Sequence, residues 1–168
     1  MHGTATSVSS RLAAEVVDFW HEAGAGQWFG KDPAFDWRLR ERFFELHLCA
    51  ARREHDEWVQ TPEGALALLI LLDQFPRNAF RNTGHMYATD ALARHFARLA
   101  LAANHMNGVA PALRLFFCLL LRLPVGIVGL PRHLKCLAVG FGVWLFYRKL
   151  NRNVLLQLLT EYIRHPSA

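Results

Sequence analysis

The fold is decided by the stretch TPEGALALLILLDQFPRNAFR, residues 61–81. Thr61 followed by Pro62 is a helix-start signal, because threonine caps free amide groups and proline fits the first helical turn. The run ALALLILL that follows is apolar nearly all round, as in a helix that is buried on several sides. We expect this central helix to end before Pro76, since a proline pushes the preceding residue away from helical angles.

A first helix is expected upstream of this stretch. Ser9 or Ser10 can cap its start, and apolar residues then recur at helical spacing to about Glu22. Gly24 and Gly26 are expected to end the helix, because glycine is unfavourable in a helix interior.

A second helix is expected to start at Asp32 and Pro33, a capping residue followed by a proline at the first helical position. Apolar residues in this segment recur at spacings of three and four, which predicts one buried face. These residues are Phe35, Leu39, Phe43, Leu46 and Ala50.

A fourth helix follows the central one. Thr89 is expected to cap it, and it should run to about Asn107, after which Gly108 and Pro111 separate it from the next helix. No stretch alternates apolar and polar residues over the length of a strand. The sequence therefore predicts an all-α fold of antiparallel helix pairs.

Length and composition favour one helical domain over residues 1–168, with a disordered segment at residues 1–8. The chain is 52% hydrophobic and 20% charged, which argues against wholesale disorder. Its net charge of +5 is uneven: residues 1–90 carry nine Lys/Arg and thirteen Asp/Glu, whereas residues 91–168 carry ten and one. The basic half lacks the interleaved aromatic residues of a single-strand binder, so no specific nucleic-acid partner is expected.

The three cysteines, Cys49, Cys118 and Cys136, are odd in number and lie in apolar surroundings. This pattern favours reduced thiols in a cytoplasmic protein over a disulfide framework. The N-terminus lacks the basic head and apolar stretch of a secretory signal, so no export signal is expected.

Residues 113–168 form an atypical apolar and basic tail. Membrane association through residues 113–147 is the alternative to a cytoplasmic location. However, Arg122 interrupts the first apolar run, and the second, CLAVGFGVWLFY, falls short of the roughly 20 residues that a spanning helix needs.

The candidate polar site lies at the end of the central helix. Asp73, Arg77, Asn78 and Arg81 follow its aliphatic run, and the two arginines share a face if the helix resumes after the proline. Their planar donors suit a carboxylate or phosphate, with the acid holding one arginine in place. The structural alternative is that the acid simply pairs with an arginine and that Asn78 satisfies carbonyls at the helix end. No metal-binding spacing, phosphate loop or serine-hydrolase motif occurs in the sequence, so no metal or cofactor is expected.

The motif DQFPRNAFR, with TPEGALALLILL before it and ATDALA after it, closely resembles a bacterial family of unknown function, DUF924. VVDFWHEAG, QWFGKDPAFDWRLRERF and PALRLFF also resemble segments of that family, so that the resemblance covers about residues 14–118. It implies a tetratricopeptide-like helical array. The positions that match the family's recurring pattern are Trp28, Phe29, Asp73, Gln74, Phe75, Arg77, Asn78 and Arg81.

Beyond Phe117 the sequence departs from the family, and the later motifs of its members are not present intact. Residues 91–160 contain no acid, and Leu, Arg, Gly and Pro are frequent in the tail. Such a composition is typical of a sequence translated from a shifted reading frame of a GC-rich gene. We therefore hold a shifted reading frame or a degraded gene as a hypothesis for the tail.

Three functional hypotheses follow. The first is a module that binds an unknown small anionic ligand or a protein partner through the polar cluster. Its predicted ligand-binding residues are Trp28, Asp73, Gln74, Arg77, Asn78 and Arg81. The second is an enzyme in which the two arginines clamp a small anionic substrate and Asp73 or His47 moves a proton. The third is a membrane-associated protein. Binding is favoured over catalysis, because no nucleophile or catalytic base pair is identifiable.

Overall fold

The structure is a computed structural model that describes residues 3–121, with side chains from residue 8 onward. The tail from residue 122 onward, with its proposed frame shift, lies outside the described residues. The described part contains α-helices and short 3₁₀ turns and no strand, which confirms the all-α prediction. Helix α1 begins inside residues 1–8, where the sequence predicts disorder. The helices are α1 (Gly3–Trp28), α2 (Pro33–Ala51), α3 (Pro62–Leu69), α4 (Phe75–Ala79), α5 (Asp90–Ala102) and α6 (Leu115–Leu121).

The central helix, residues 62–79, consists of α3, a π-helical turn at Ile70–Gln74 and α4, which follow one another without a break. Its start is as predicted, because the Thr61 hydroxyl accepts the first capping hydrogen bond. Its predicted end before Pro76 is wrong. Phe75, directly before the proline, keeps helical angles of φ −55° and ψ −52°, and the helix continues for another turn.

The proline is tolerated because other side chains replace the hydrogen bonds that it cannot make. Pro76 has no amide hydrogen, so it cannot donate to the carbonyl of Leu72 in α register or of Leu71 in π register. His47 Nδ1 donates to the carbonyl oxygen of Leu71 at 2.9 Å, and the Thr89 hydroxyl donates to that of Leu72. The acceptor also fixes the tautomer of His47, since a carbonyl can only accept.

Helix α1 is longer than predicted and kinked. It passes through Gly24, whose φ of 71° and ψ of 171° are not helical, and continues to Trp28. Gly24 therefore interrupts the helix as predicted, whereas Gly26 lies within the short helical segment that follows the kink. The predicted cap at Ser9 or Ser10 is wrong, because the helix is already formed there. The Ser9 hydroxyl instead accepts a hydrogen bond from Trp58 Nε1.

Helix α2 begins as predicted. Asp32 is its N-cap, and its carboxylate accepts hydrogen bonds from the amides of Ala34 and Phe35. Four of the five predicted apolar residues are buried, but Leu46 is only half-buried, and His47 takes its place on the inner face.

Helix α5 is shorter than predicted. It ends at Ala102, and Asn104 then adopts a left-handed conformation with φ of 61°, so that the predicted extension to Asn107 is wrong. Thr89 stands at the N-cap position, yet its side chain caps no amide, because its hydroxyl is directed to the central helix.

The core surrounds the central helix. Helices α1 and α5 pack against α3, α2 packs against α4 and the π turn, and α6 packs against α5. Residues 64–76 of the central helix are all buried, as the apolar run predicts. The finer expectation of a tetratricopeptide-like pairing stays a prediction.

No helix within residues 3–121 is long and apolar enough to cross a membrane. The membrane hypothesis concerns residues 113–147, most of which lie outside the described residues. It has no support from the part of this segment that the structure describes.

Candidate functional site

A cavity of about 330 Å³ opens beside the second half of the central helix. Its wall is formed by that helix, by the loop between α1 and α2, and by the turn that follows the central helix. Five of the six predicted ligand-binding residues line it, whereas Asp73 does not. The lining residues are Trp28, Lys31, Gln74, Arg77, Asn78, Arg81, Asn82 and Met86.

Arg81 is fixed by four hydrogen bonds from its guanidinium group. Its Nε and Nη2 both donate to the carboxylate of Asp36 on α2, and Nη2 also donates to the carbonyl of Gly30 at 2.9 Å and to Asn78 Oδ1. A paired, hydrogen-bonded guanidinium has a defined orientation. Its Nη1 has no acceptor among the described residues.

Arg77 is held in a similar way on the other side. Its Nη1 donates to the carbonyl of Met86 at 3.1 Å, and its Nη2 donates to Asp90 Oδ1 at 3.1 Å. The same Nη2 lies 2.7 Å from Asp73 Oδ1, and the guanidinium lies 5.5 Å from the ring centre of Tyr87. The predicted pairing of the acid with this arginine is present, while Arg77 Nε has no acceptor in the described part of the chain.

Asp73 lies behind the cavity wall and is only 4% exposed. Burial raises the pKa of its carboxyl, because a charge loses its hydration there, and the positive charge of Arg77 opposes this rise. Its Oδ2 accepts a hydrogen bond from Gln74 Nε2. Its Oδ1 contacts Arg77 without hydrogen-bond geometry and accepts no hydrogen bond from the described residues.

The two buried amides of the cavity differ in what they offer. Asn78 uses both ends of its side chain, since its Nδ2 donates to the backbone carbonyl of Gln74 at 2.8 Å and its Oδ1 accepts from Arg81. It therefore satisfies a helix carbonyl, as the structural alternative predicts, and also supports an arginine. Gln74 is 6% exposed and uses only its Nε2, so that Oε1 has no donor among the described residues.

Trp28, the last residue of α1, and Lys31, in the α1–α2 loop, complete the cavity. The indole Nε1 of Trp28 donates to the carbonyl of Trp20 at 2.6 Å, so Trp28 offers the cavity an apolar wall rather than a donor. Lys31 is exposed, and no acidic partner for its ammonium lies within the described residues. In the sequence, the one indication of a role for Lys31 is its position three residues after Trp28, within a segment that resembles the family.

The charge of the lining is one-sided. Lys31, Arg77 and Arg81 supply three cations, and no carboxylate belongs to the described lining. The acids that hold the arginines, Asp36 and Asp90, lie behind them. Such an arrangement can bind an anion, because guanidinium and ammonium groups recognise carboxylates and phosphates.

The two proton carriers considered for catalysis lie elsewhere. His47 is 5% exposed, stacks on Phe75 with ring centres 4.7 Å apart, and donates to a helix carbonyl. Burial lowers the pKa of its imidazole, which favours the neutral form. Neither His47 nor Asp73 lines the cavity. Within residues 3–121, no three His, Cys, Asp or Glu side chains are grouped as a metal site would require.

The chain is similar to known proteins over most of its length. The model of a family described as bacterial protein of unknown function (DUF924) matches residues 16–123, a range that includes the cavity lining as far as the structure describes it. The solved structure of the protein of unknown function ATU0120 from Agrobacterium tumefaciens is 42% identical, with a TM-score of 0.68, and the match covers 92% of this chain and 81% of that one. A search of curated proteins gives no match. The chain therefore belongs to the bacterial DUF924 family, as the motif DQFPRNAFR predicts.

Proposed function

We propose that the protein is a binding module for a small anionic ligand, a carboxylate or a phosphate, which occupies the cavity beside the central helix. The observation that carries this proposal is the described lining, with Lys31, Arg77 and Arg81 facing one space and no carboxylate among them. The volume of about 330 Å³ lies at the small end of ligand pockets, which span roughly 300–1,000 Å³. A ligand of metabolite size fits it best.

The acids behind the arginines support this proposal rather than oppose it. Asp36 and Asp90 fix the two guanidinium groups before a ligand arrives, so that little side-chain entropy is lost on binding. Arg81 still has its Nη1 donors, and Arg77 its Nε donor. An anion can therefore bind without breaking either ion pair.

We propose binding rather than catalysis. The enzyme hypothesis needs Asp73 or His47 to reach a substrate, and neither side chain belongs to the described cavity wall. A protein partner remains the other form of the binding hypothesis, but the small volume and the inward-facing cations favour a small molecule.

The test is a thermal-shift titration with inorganic phosphate and with succinate at constant ionic strength. A ligand that binds only the folded state raises its stability, by about 2.7 kcal/mol at a hundred times the dissociation constant. Lys31→Ala should reduce the shift without lowering the midpoint of the free protein, because Lys31 is exposed and has no acidic partner in the described part of the chain.

Arg98→Ala is the matched control, since it also removes one positive charge at an exposed position but does not line the cavity. It should leave the shift unchanged. If neither anion shifts the wild-type midpoint, or if both variants respond alike, the proposed function is wrong.

A further inference from the structure

We propose that Gln74 makes the cavity selective for anions that carry a hydroxyl group next to their charge, namely hydroxycarboxylates and hydroxyl-bearing phosphate esters. This inference rests on the proposed function and adds the chemical class of its ligand. The observation behind it is a buried amide, 6% exposed, that lines the cavity and has one end without a partner among the described residues.

The orientation of the Gln74 amide is set by Asp73. The NH₂ end of the amide faces Asp73, because Nε2 donates to Oδ2, while Arg77 lies beside Oδ1. The carbonyl end, Oε1, is therefore the end that remains for the cavity. Asp73 acts here as a positioning residue, because it does not itself reach the cavity wall.

A buried acceptor of this kind favours a ligand that donates a hydrogen bond. Gln74 Oε1 is not among the fully buried atoms that lack a partner, so water in the open cavity can reach it. A ligand that displaces this water without donating a hydrogen bond leaves the carbonyl unpaired, and a site that bonds a ligand hydroxyl rejects analogues that lack it. A ligand with only acceptor groups would place its oxygen lone pairs against Gln74 Oε1. The amide therefore discriminates between ligands that the cations alone would treat alike.

The donor is a hydroxyl rather than an ammonium group. Lys31, Arg77 and Arg81 line the same cavity and would repel a second positive charge close to them. A hydroxyl donates without charge, while the carboxylate or phosphate of the same ligand meets the three cations. The three cations can bind a carboxylate or a phosphate, so ligands with each of these groups must be compared by experiment.

The experiment is isothermal titration of the full chain with pairs of ligands that differ by one hydroxyl. L-malate against succinate is the carboxylate arm, and propane-1,2-diol 1-phosphate against propyl phosphate is the phosphate arm. The hydroxylated ligand should bind about fivefold more tightly, as one net hydrogen bond of about 1 kcal/mol implies. The arm with the tighter binding identifies the anionic group.

Gln74→Met keeps the length of the side chain and removes the acceptor, so the ratio of affinities within each pair should fall to about one.

Asp73→Asn is the second variant. Arg77 Nη2, which lies 2.7 Å from Oδ1, requires an oxygen there, so the new NH₂ group must face Gln74. Gln74 then turns its own NH₂ group into the cavity. The wild type should bind malate more tightly than oxaloacetate, which has a keto oxygen in place of the hydroxyl. This preference should disappear in Asp73→Asn, because an NH₂ group donates to a keto and a hydroxyl oxygen alike.

Equal binding within both wild-type pairs would overturn this inference and leave the proposed function standing. A hydroxyl preference that survives in Gln74→Met would also overturn it. Failure of every anion to bind the wild type would overturn the proposed function and this inference together. Because the variants are judged by ratios, a general change in affinity from the altered charge does not affect the result.

Discussion

Asp73 is the residue whose environment is least ordinary, since burial raises the pKa of its carboxyl above 3.8 against the opposing charge of Arg77. A carboxyl whose pKa is higher in the folded than in the unfolded protein binds its proton more tightly when folded. Folding is therefore favoured below the folded-state pKa, and this contribution is lost as the pH rises through it.

Asp73→Asn should remove this pH dependence, because an amide does not titrate. Thermal midpoints of both proteins should be measured from the unperturbed carboxyl pKa of 3.8 upward into the neutral range. The wild-type midpoint should fall relative to that of the variant as the pH increases from 3.8 through the folded-state pKa. Asp18→Asn, at an exposed position of α1, is the control for losing one negative charge. A constant difference between wild type and Asp73→Asn would show that burial does not perturb this carboxyl.

At this scale the sequence predicts the arginines of the site and the pairing of Asp73 with Arg77, but not the acid that fixes Arg81. The spacing of Arg77 and Arg81 places both on one stretch of helix, and the structure brings both to one cavity. Asp36, which fixes Arg81, lies 45 residues away in the sequence, and no local pattern connects the two. Lys31 is not predicted as a site residue, because a single lysine in a loop belongs to no periodic pattern.

At the scale of elements, the starts of α2 and of the central helix were predictable, whereas the start of α1 and the end of the central helix were not. The starts at Asp32 and Thr61 depend on side chains within three residues of the cap, so the local sequence contains the whole interaction. The passage through Pro76 depends on His47 and Thr89, which come from other parts of the chain. A rule based on the preceding residue alone therefore predicts an end where the helix continues.

Thr89→Val tests whether the central helix depends on a hydroxyl from outside it. The substitution keeps the shape of the side chain but leaves the buried carbonyl of Leu72 without its donor, so the free energy of unfolding should fall by about 1–2 kcal/mol. The measurement is urea unfolding at equilibrium. Thr83→Val removes a hydroxyl bond to the carbonyl of Phe80 at an exposed position, where water can replace it. Equal losses in the two variants would show that the Thr89 bond has no special role at the proline.

At the scale of the whole molecule, aromatic packing connects the cavity to the last described helix. Phe116 on α6 packs edge-on against Trp20 and Trp28, at ring-centre distances of 5.7 and 5.2 Å, and it stacks near Phe29 at 6.4 Å. The helical spacing of apolar residues predicts an apolar face on α1, yet it does not predict which helices meet. The wall of the cavity at Trp28 is thus supported by a helix distant in the sequence.

Because α6 supports the cavity wall at Trp28, two substitutions with similar effects on stability should differ in their effect on anion binding. Phe116→Leu and Phe96→Leu both shorten a fully buried ring, and each should lower the free energy of unfolding by about 1–3 kcal/mol. Of these two rings, it is Phe116 that packs against Trp28. Phe116→Leu, unlike Phe96→Leu, should therefore let the cavity wall move and reduce the thermal shift that phosphate or succinate produces. Urea unfolding gives the first quantity and the anion titration gives the second. If both variants keep the full anion-induced shift, the cavity does not depend on α6, and its geometry is set by the central helix and the α1–α2 loop alone.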